Sequence, residues 1–256
     1  MIDKLLRAYL IERKPWYGII IGFLFASLGI IFAFLIFRVS PSFPAVFLTT
    51  LAAAPLIVKI IKSENDEKSI LKRHAKVIEV YFYLFFGMTI AFALFNASLP
   101  KDISSSIFSE QLSKFPGGFF SAGYFTMNSN LFFEIFLNNI GLVLFFFLLS
   151  LFYGSGSMFL LTWNASILGL MWGNILKVSL SLMDPLLFVK DVFFIFPFLL
   201  PEVEAYFLAS IAGGIVSVNL ENRKKLELAM NDSLIFLVLS VILILFAAFI
   251  EAFLIG

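Results

Sequence analysis

The chain has no cysteine and a single histidine, His74, among its 256 residues. Without cysteine there can be no disulfide and no thiolate metal site, although the redox compartment is left open. With one histidine, a His-based zinc site, a Ser-His-Asp triad and a Cys-His pair are excluded in practice. Charge is scarce too. Only 14% of residues are charged and the formal net charge is +1. Bulk charge therefore points to no nucleic-acid partner, and none is expected. Gly154-Ser155-Gly156-Ser157 is glycine-rich, but no lysine or strand accompanies it, so it is no phosphate-binding loop. No motif asks for a cofactor or a metal.

What is abundant is hydrocarbon. Apolar residues make up 61% of the chain, 35 of them phenylalanine, and the mean hydropathy is +1.01. Several apolar runs exceed the roughly 18 residues that mark a membrane span. The expected fold is an all-α, polytopic membrane bundle with about seven spans and added interfacial helices, in a single membrane domain covering 1–256. The phenylalanines read as lipid-facing filler and core packing.

Along the chain, Ile2, Leu5, Leu6, Tyr9 and Leu10 share one helical face of residues 1–14, with Lys4, Arg7, Arg13 and Lys14 elsewhere. This is the pattern of an amphipathic helix lying in the headgroup layer. The first apolar run lacks a small-residue cleavage site and is too long for a signal-peptide core, so it is expected to be a retained span. Spans are expected at Trp16–Phe37, Ala45–Ile61 and Val77–Asn96, the N-terminal three occupying 16–96. A charged connector, Lys62–Lys76, separates the second from the third and holds His74 as a solvated loop residue. In the outer loop, 97–128, Ile103, Ile107, Phe108, Leu112 and Phe115 recur at helical spacing and predict a second surface helix before Pro116-Gly117-Gly118.

Further spans are expected at Asn130–Phe152, Met158–Ile175 and Pro201–Leu220, forming a core over 129–220. The last is expected at Ser233–Leu254, within a C-terminal segment 232–256. Between them Pro185–Leu200 is broken by Lys190, Asp191 and Pro197 and reads as re-entrant or interfacial. With the N-terminus inside, the inner connectors hold 13 Lys and Arg residues and the outer ones 5. That bias predicts a multi-pass protein of the cell membrane with its N-terminus cytoplasmic and its C-terminus outside.

Against this background Glu134, Asn138, Asn139, Asn164 and Glu202 stand where a bilayer would ordinarily demand Leu or Phe. Amides and carboxylates in hydrocarbon are costly unless they meet partners or water. Asn138 and Asn139 point about 100° apart on a helix, so at most one can face the bundle centre. Glu134 precedes Asn138 by one turn on the same face. These groups either fix packing by interhelical hydrogen bonds or line a polar cavity, and Glu202 can also serve as a helix start. Two small-residue faces accompany them: Ala165, Gly169 and Gly173 in one span, and Ala205, Ala209, Gly213 and Ser217 in another. Such faces let helices approach closely, and the two are expected to pack against each other. Gly154 and Gly156 are expected to form a tight turn.

The blocks LNNIGLVLFF, GSGSMFLLTW and NASILGLMWG, followed by PEVEAYFLASIAGGIVS, resemble the stage II sporulation protein M family in its archaeal form, over about Leu131–Leu220. By that resemblance the family's paired asparagines fall on Asn138 and Asn139 and its turn glycines on Gly154 and Gly156. Its mid-helix asparagine falls on Asn164, its helix glycines on Gly169 and Gly173, and its acidic residue on Glu202. One departure stands out: the family often carries His-Gly about four residues before that acid, and here those positions are Phe198 and Leu199. The resemblance implies a membrane component that acts with partner proteins, as in bacterial engulfment.

Two functions follow as expectations. One is a non-enzymatic scaffold in the lipid bilayer, working with membrane or cytoplasmic protein partners and able to pair with a second copy. The other is a transporter, channel or lipid-handling protein that uses the intramembrane polar groups as a pathway. An intramembrane hydrolase would need a nucleophile–base pair, which is not visible around Ser150, Ser155 or Glu202.

Overall fold

A computed structural model describes residues 14–37, 40–63, 69–113 and 129–255. The amphipathic pattern at 1–14 lies almost wholly outside these residues, as do Phe115 and Pro116-Gly117-Gly118. Among the described residues there are nine helices and no strand: α1 (Tyr17–Ile36), α2 (Ser42–Lys62), α3 (Ile70–Ser98), α4 (Lys101–Ile107), α5 (Ser109–Leu112), α6 (Ser129–Tyr153), α7 (Met158–Ser181), α8 (Pro185–Val218) and α9 (Arg223–Ile255). Six of them, α1, α2, α3, α6, α7 and α9, are long and apolar enough to cross a membrane. The protein is an all-α membrane bundle.

The helices are turned inside out relative to those of a water-soluble protein. In α1 the buried positions include Gly18, Gly22, Ala26, Gly29 and Ala33, while Ile20, Leu24, Leu28, Ile31 and Leu35 are exposed. Large apolar side chains gain nothing by leaving lipid for protein, so contact area comes from close backbone approach at small residues. In α9, likewise, Ala247 and Ala248 are fully buried while Leu245, Phe246 and Phe249 face outward.

The chain divides into two compact units, each assembled from three separated segments. The first comprises residues 1–57, 79–120 and 158–192 and the second 58–78, 121–157 and 193–256. In the first unit α7 lies on α3 through its small-residue face: a Cβ on Gly173 would sit 2.7 Å from the Ala93 carbonyl oxygen, and one on Gly169 2.8 Å from that of Thr89. In the second unit α8 lies on α6, where a Cβ on Gly213 would come 2.7 Å from the Leu151 nitrogen. Gly169 and Gly173 thus seat on α3 within the first unit, and Gly213 on α6 within the second. Within the second unit α6 also packs on α9.

Three expected boundaries move. α3 begins at Ile70, so residues 70–76 are helical rather than connector. The expected interfacial piece and the span after it form one helix, α8, with Pro197 and Pro201 inside it. Each proline removes one backbone bond and ends no helix here, as is common in membrane helices. The single surface helix after α3 is two short ones, α4 and α5, divided at Phe108. Ile107 and Phe108 are buried, so this segment docks into the first unit. The turn between α6 and α7 forms as expected, with Gly154 at φ +68°, a left-handed conformation that glycine adopts freely.

Candidate functional site

Polar side chains in the bundle satisfy themselves in two ways, and the difference defines the site. Many bond a carbonyl one turn back on their own helix, as Thr49, Thr89, Thr162, Ser210 and Ser240 do. Such back-bonding commits a donor within the helix. Asn164 belongs to this class. Its Nδ2 donates to the Leu160 carbonyl at 2.8 Å, and it lies in the first unit whereas Asn138, Asn139 and Glu202 lie in the second.

The remaining groups bond across helices. In the second unit the Tyr206 hydroxyl, on α8, lies 2.7 Å from Glu202 Oε1 one turn earlier and 3.1 Å from Asn139 Oδ1 on α6. One hydroxyl proton serves one acceptor at a time, so Tyr206 links the two as a shared centre. Its ring stacks on Phe146 with centroids 4.7 Å apart and planes 7° from parallel. That stacking fixes the hydroxyl between α6 and α8. Glu251, near the end of α9, is the second carboxylate in the electrostatic neighbourhood of Glu202. Both carboxylates are half-buried.

The asparagine pair splits as helical geometry requires. Asn139 is 5% exposed and joins Tyr206. Asn138 points away and is exposed, as is Glu134 one turn before it. Its Nδ2 reaches only the Asn139 Oδ1, at 3.4 Å. Of the five expected polar-core residues, the structure therefore brings Asn139 and Glu202 together through Tyr206 and leaves Glu134, Asn138 and Asn164 out. Ala205, Ala209 and Gly213 are buried along the same helix, and Ser217 is half-buried. Behind the glycine turn, Ser150 donates to Ser157 at 2.5 Å. Gly156 lies at the Leu149 carbonyl, the closest atom a Cβ there would meet.

Three further polar clusters were not read from the sequence. In the first unit Asn96 Nδ2 donates to the Leu170 carbonyl and to Asn174 Oδ1, both at 2.9 Å, and Asn96 Oδ1 accepts from Ser104 at 2.5 Å. Lys177 Nζ stands 3.5 Å from the same oxygen. Buried Gln111 accepts from Ser42 and donates to Ser166 at 2.9 Å. In the second unit, Asp232 Oδ2 on α9 takes both Arg73 Nη1 and, at 2.9 Å, His74 Nε2. His74 is 2% exposed and meets Phe236 edge-on at 5.1 Å. It is a core residue rather than a solvated loop residue, because the helix reaches back to Ile70 and carries it into the bundle. The sequence signal for this cluster is weak: 159 positions separate Arg73 from Asp232.

The arrangement offers hydrogen bonds that join helices, an acidic pair near one end of the second unit, and a cationic cluster at the other. Against this geometry, the family model described as Stage II sporulation protein M matches residues 80–254. The match spans roughly two thirds of the chain, taking in most of α3 and nearly all of α9 beyond the blocks that carried the sequence resemblance. No curated protein and no solved structure matches.

Proposed function

This chain belongs to the stage II sporulation protein M family, and we propose that it acts as a non-enzymatic membrane scaffold. The observation that carries this reading is the Asn139–Tyr206–Glu202 link. Of the second unit's expected polar groups, the two that are not exposed, Asn139 and Glu202, meet at Tyr206, which joins α6 to α8. Asn164 is engaged with its own helix. An interhelical bond of this kind is worth on the order of 1 kcal/mol in a membrane, which suits a device that holds helices in register. In this reading the N-terminus and the Lys- and Arg-rich connectors face the cytoplasm, where they recruit protein partners, and a second copy of the chain is a candidate partner within the bilayer.

The competing reading, a transporter or channel, draws on one specific observation. Glu251 falls within electrostatic reach of Glu202, and carboxylates inside a membrane commonly mark an ion or proton route. Reconstitution separates the two. In proteoliposomes, the scaffold reading expects ion and lipid movement no faster than in empty vesicles, and Glu202→Gln to lower thermal stability alone. Movement that the wild type supports and Glu202→Gln abolishes would replace the scaffold with the transport reading.

A further inference from the structure

The second unit holds a cavity of about 300 Å³ at the end of the helices remote from Glu202. It is lined by the last turn of α2, the first turns of α3 and α9, and the end of α8, and it opens outward. Three cationic side chains, Lys62, Arg73 and Lys225, line it against one carboxylate, Asp232, which leaves a formal excess of two positive charges. Asp232 is committed to Arg73 and His74, so the carboxylate is bound to the wall rather than turned on a guest. Lys62 and Lys225 are exposed at the rim, and among the described residues neither is in an ion pair. Ile61, Ile215 and Leu228 make the remaining wall apolar.

Depth narrows the occupant. Lys62 closes one membrane-length helix and Lys225 opens another, so the cavity lies where hydrocarbon gives way to headgroups. Its volume equals that of about ten waters, which is room for a phosphate ester rather than a bare ion. A phosphate presents several acceptor oxygens and one to two negative charges, the complement of two lysines and a held guanidinium. Basic pockets between membrane helices at this depth take anionic headgroups.

We propose that this cavity is a binding site for a phosphate-bearing anion, recognised through Lys62 and Lys225 against the fixed Arg73–Asp232–His74 wall. The phosphate can come from an anionic lipid headgroup or from a soluble phosphate ester, and the experiment tells the sources apart. Thermal unfolding of the full chain in detergent is followed with phosphatidylglycerol, phosphatidylcholine, glycerol 3-phosphate or inorganic phosphate added. Stabilisation by phosphatidylglycerol and not phosphatidylcholine supports the site with a lipid source. Stabilisation by glycerol 3-phosphate or inorganic phosphate supports it with a soluble source.

In either case Lys62→Gln with Lys225→Gln weakens the response at least about tenfold, while Lys62→Arg with Lys225→Arg keeps it. Equal stabilisation by phosphatidylglycerol and phosphatidylcholine with no effect of the soluble phosphates, no response to any probe, or an undiminished response in the glutamine pair would overturn the proposal. Should the glutamine pair fail to fold, native mass spectrometry of the wild type decides. Retained phosphatidylglycerol or glycerol phosphate supports the site, and equal retention of phosphatidylcholine, or of no probe, sinks it.

Discussion

The two ends of the second unit solve the same problem in opposite ways. Near one end, Asn139, Glu202 and Tyr206 close on one another between α6 and α8, with Glu251 beside them. At the other, Lys62, Arg73 and Lys225 line a cavity, and among the described residues it is Arg73 that a carboxylate, Asp232, ties down. On α8, Glu202 at the one and Val218 at the other are separated by 16 residues, about 24 Å of helix. A polar group toward the hydrocarbon must find protein partners, whereas a lysine at the rim can reach headgroups and water. The first cluster is therefore legible as packing, and the second as a surface for something the protein does not itself supply.

The largest effect should come from breaking the wall of the open end. Asp232→Ala removes the carboxylate that Arg73 and His74 share, and the Arg73 and Asp232 side chains are largely buried, at 11% and 7% exposure. Removing one member of a buried ion pair costs about 3–5 kcal/mol, and thermal or denaturant unfolding should show a loss of that size. A loss under about 1 kcal/mol would mean that the pair is solvated and the wall is not fixed. Next comes the seam between α6 and α8. Gly213→Leu forces a side chain into the backbone of α6 near Phe147 and Leu151, and overpacking of this kind costs about 1–3 kcal/mol. The same change at Gly141, where an added Cβ meets nothing within 4 Å, should be close to neutral, so the two together test whether tight approach is confined to α8 on α6.

Tyr206→Phe comes third. It keeps the ring on Phe146 but removes the hydroxyl shared by Asn139 and Glu202, leaving two acceptors short of a donor. The expected loss is about 1–2 kcal/mol, read as a lower unfolding midpoint with no change in lipid or ion movement. If Tyr206→Phe alters flux while stability holds, the closed end is a pathway, and the contrast between the two ends fails.

How far these features could be read in advance depended on the distance over which their cause acts. Apolar run length is local, so the spans and the Gly154 turn were visible in the chain. The paired asparagines were local too, and the rule that one of them must turn away needed only the helical period. The partners of the small-residue faces were not visible. Gly169 and Gly213 each announce close approach but carry no mark of the helix that answers, and α3 and α6 offer ordinary residues there, Phe92 and Phe147. Tyr206 and Glu251 were available as signals, since a hydroxyl and a carboxylate in apolar helices need partners. The Arg73–Asp232 pair and the Asn96–Asn174 bond join distant segments and depend on tertiary packing alone. α8 was divided at Pro201 because Lys190, Asp191 and Pro197 interrupt the apolar run before it, and the proline's penalty is one that the bundle absorbs.

The smallest effect separates two neighbours. Asn138 and Asn139 are the same residue type one position apart, and only their direction differs: Asn139 is buried against Tyr206, while Asn138 is exposed on the face that carries Glu134. Asn139→Ala should cost about 1 kcal/mol, the worth of one interhelical bond, and Tyr206→Phe combined with it should cost less than the two losses added together, because they remove one shared interaction. Asn138→Ala should stay within about 0.5 kcal/mol for the isolated protein, as exposed substitutions do. If a second copy of the chain pairs through this face, Asn138→Ala will lower the dimer fraction in crosslinking or light scattering while leaving unfolding unchanged. An equal stability loss from both asparagines would mean that α6 is rotated from the position described, and that the closed end is built on a different face of that helix.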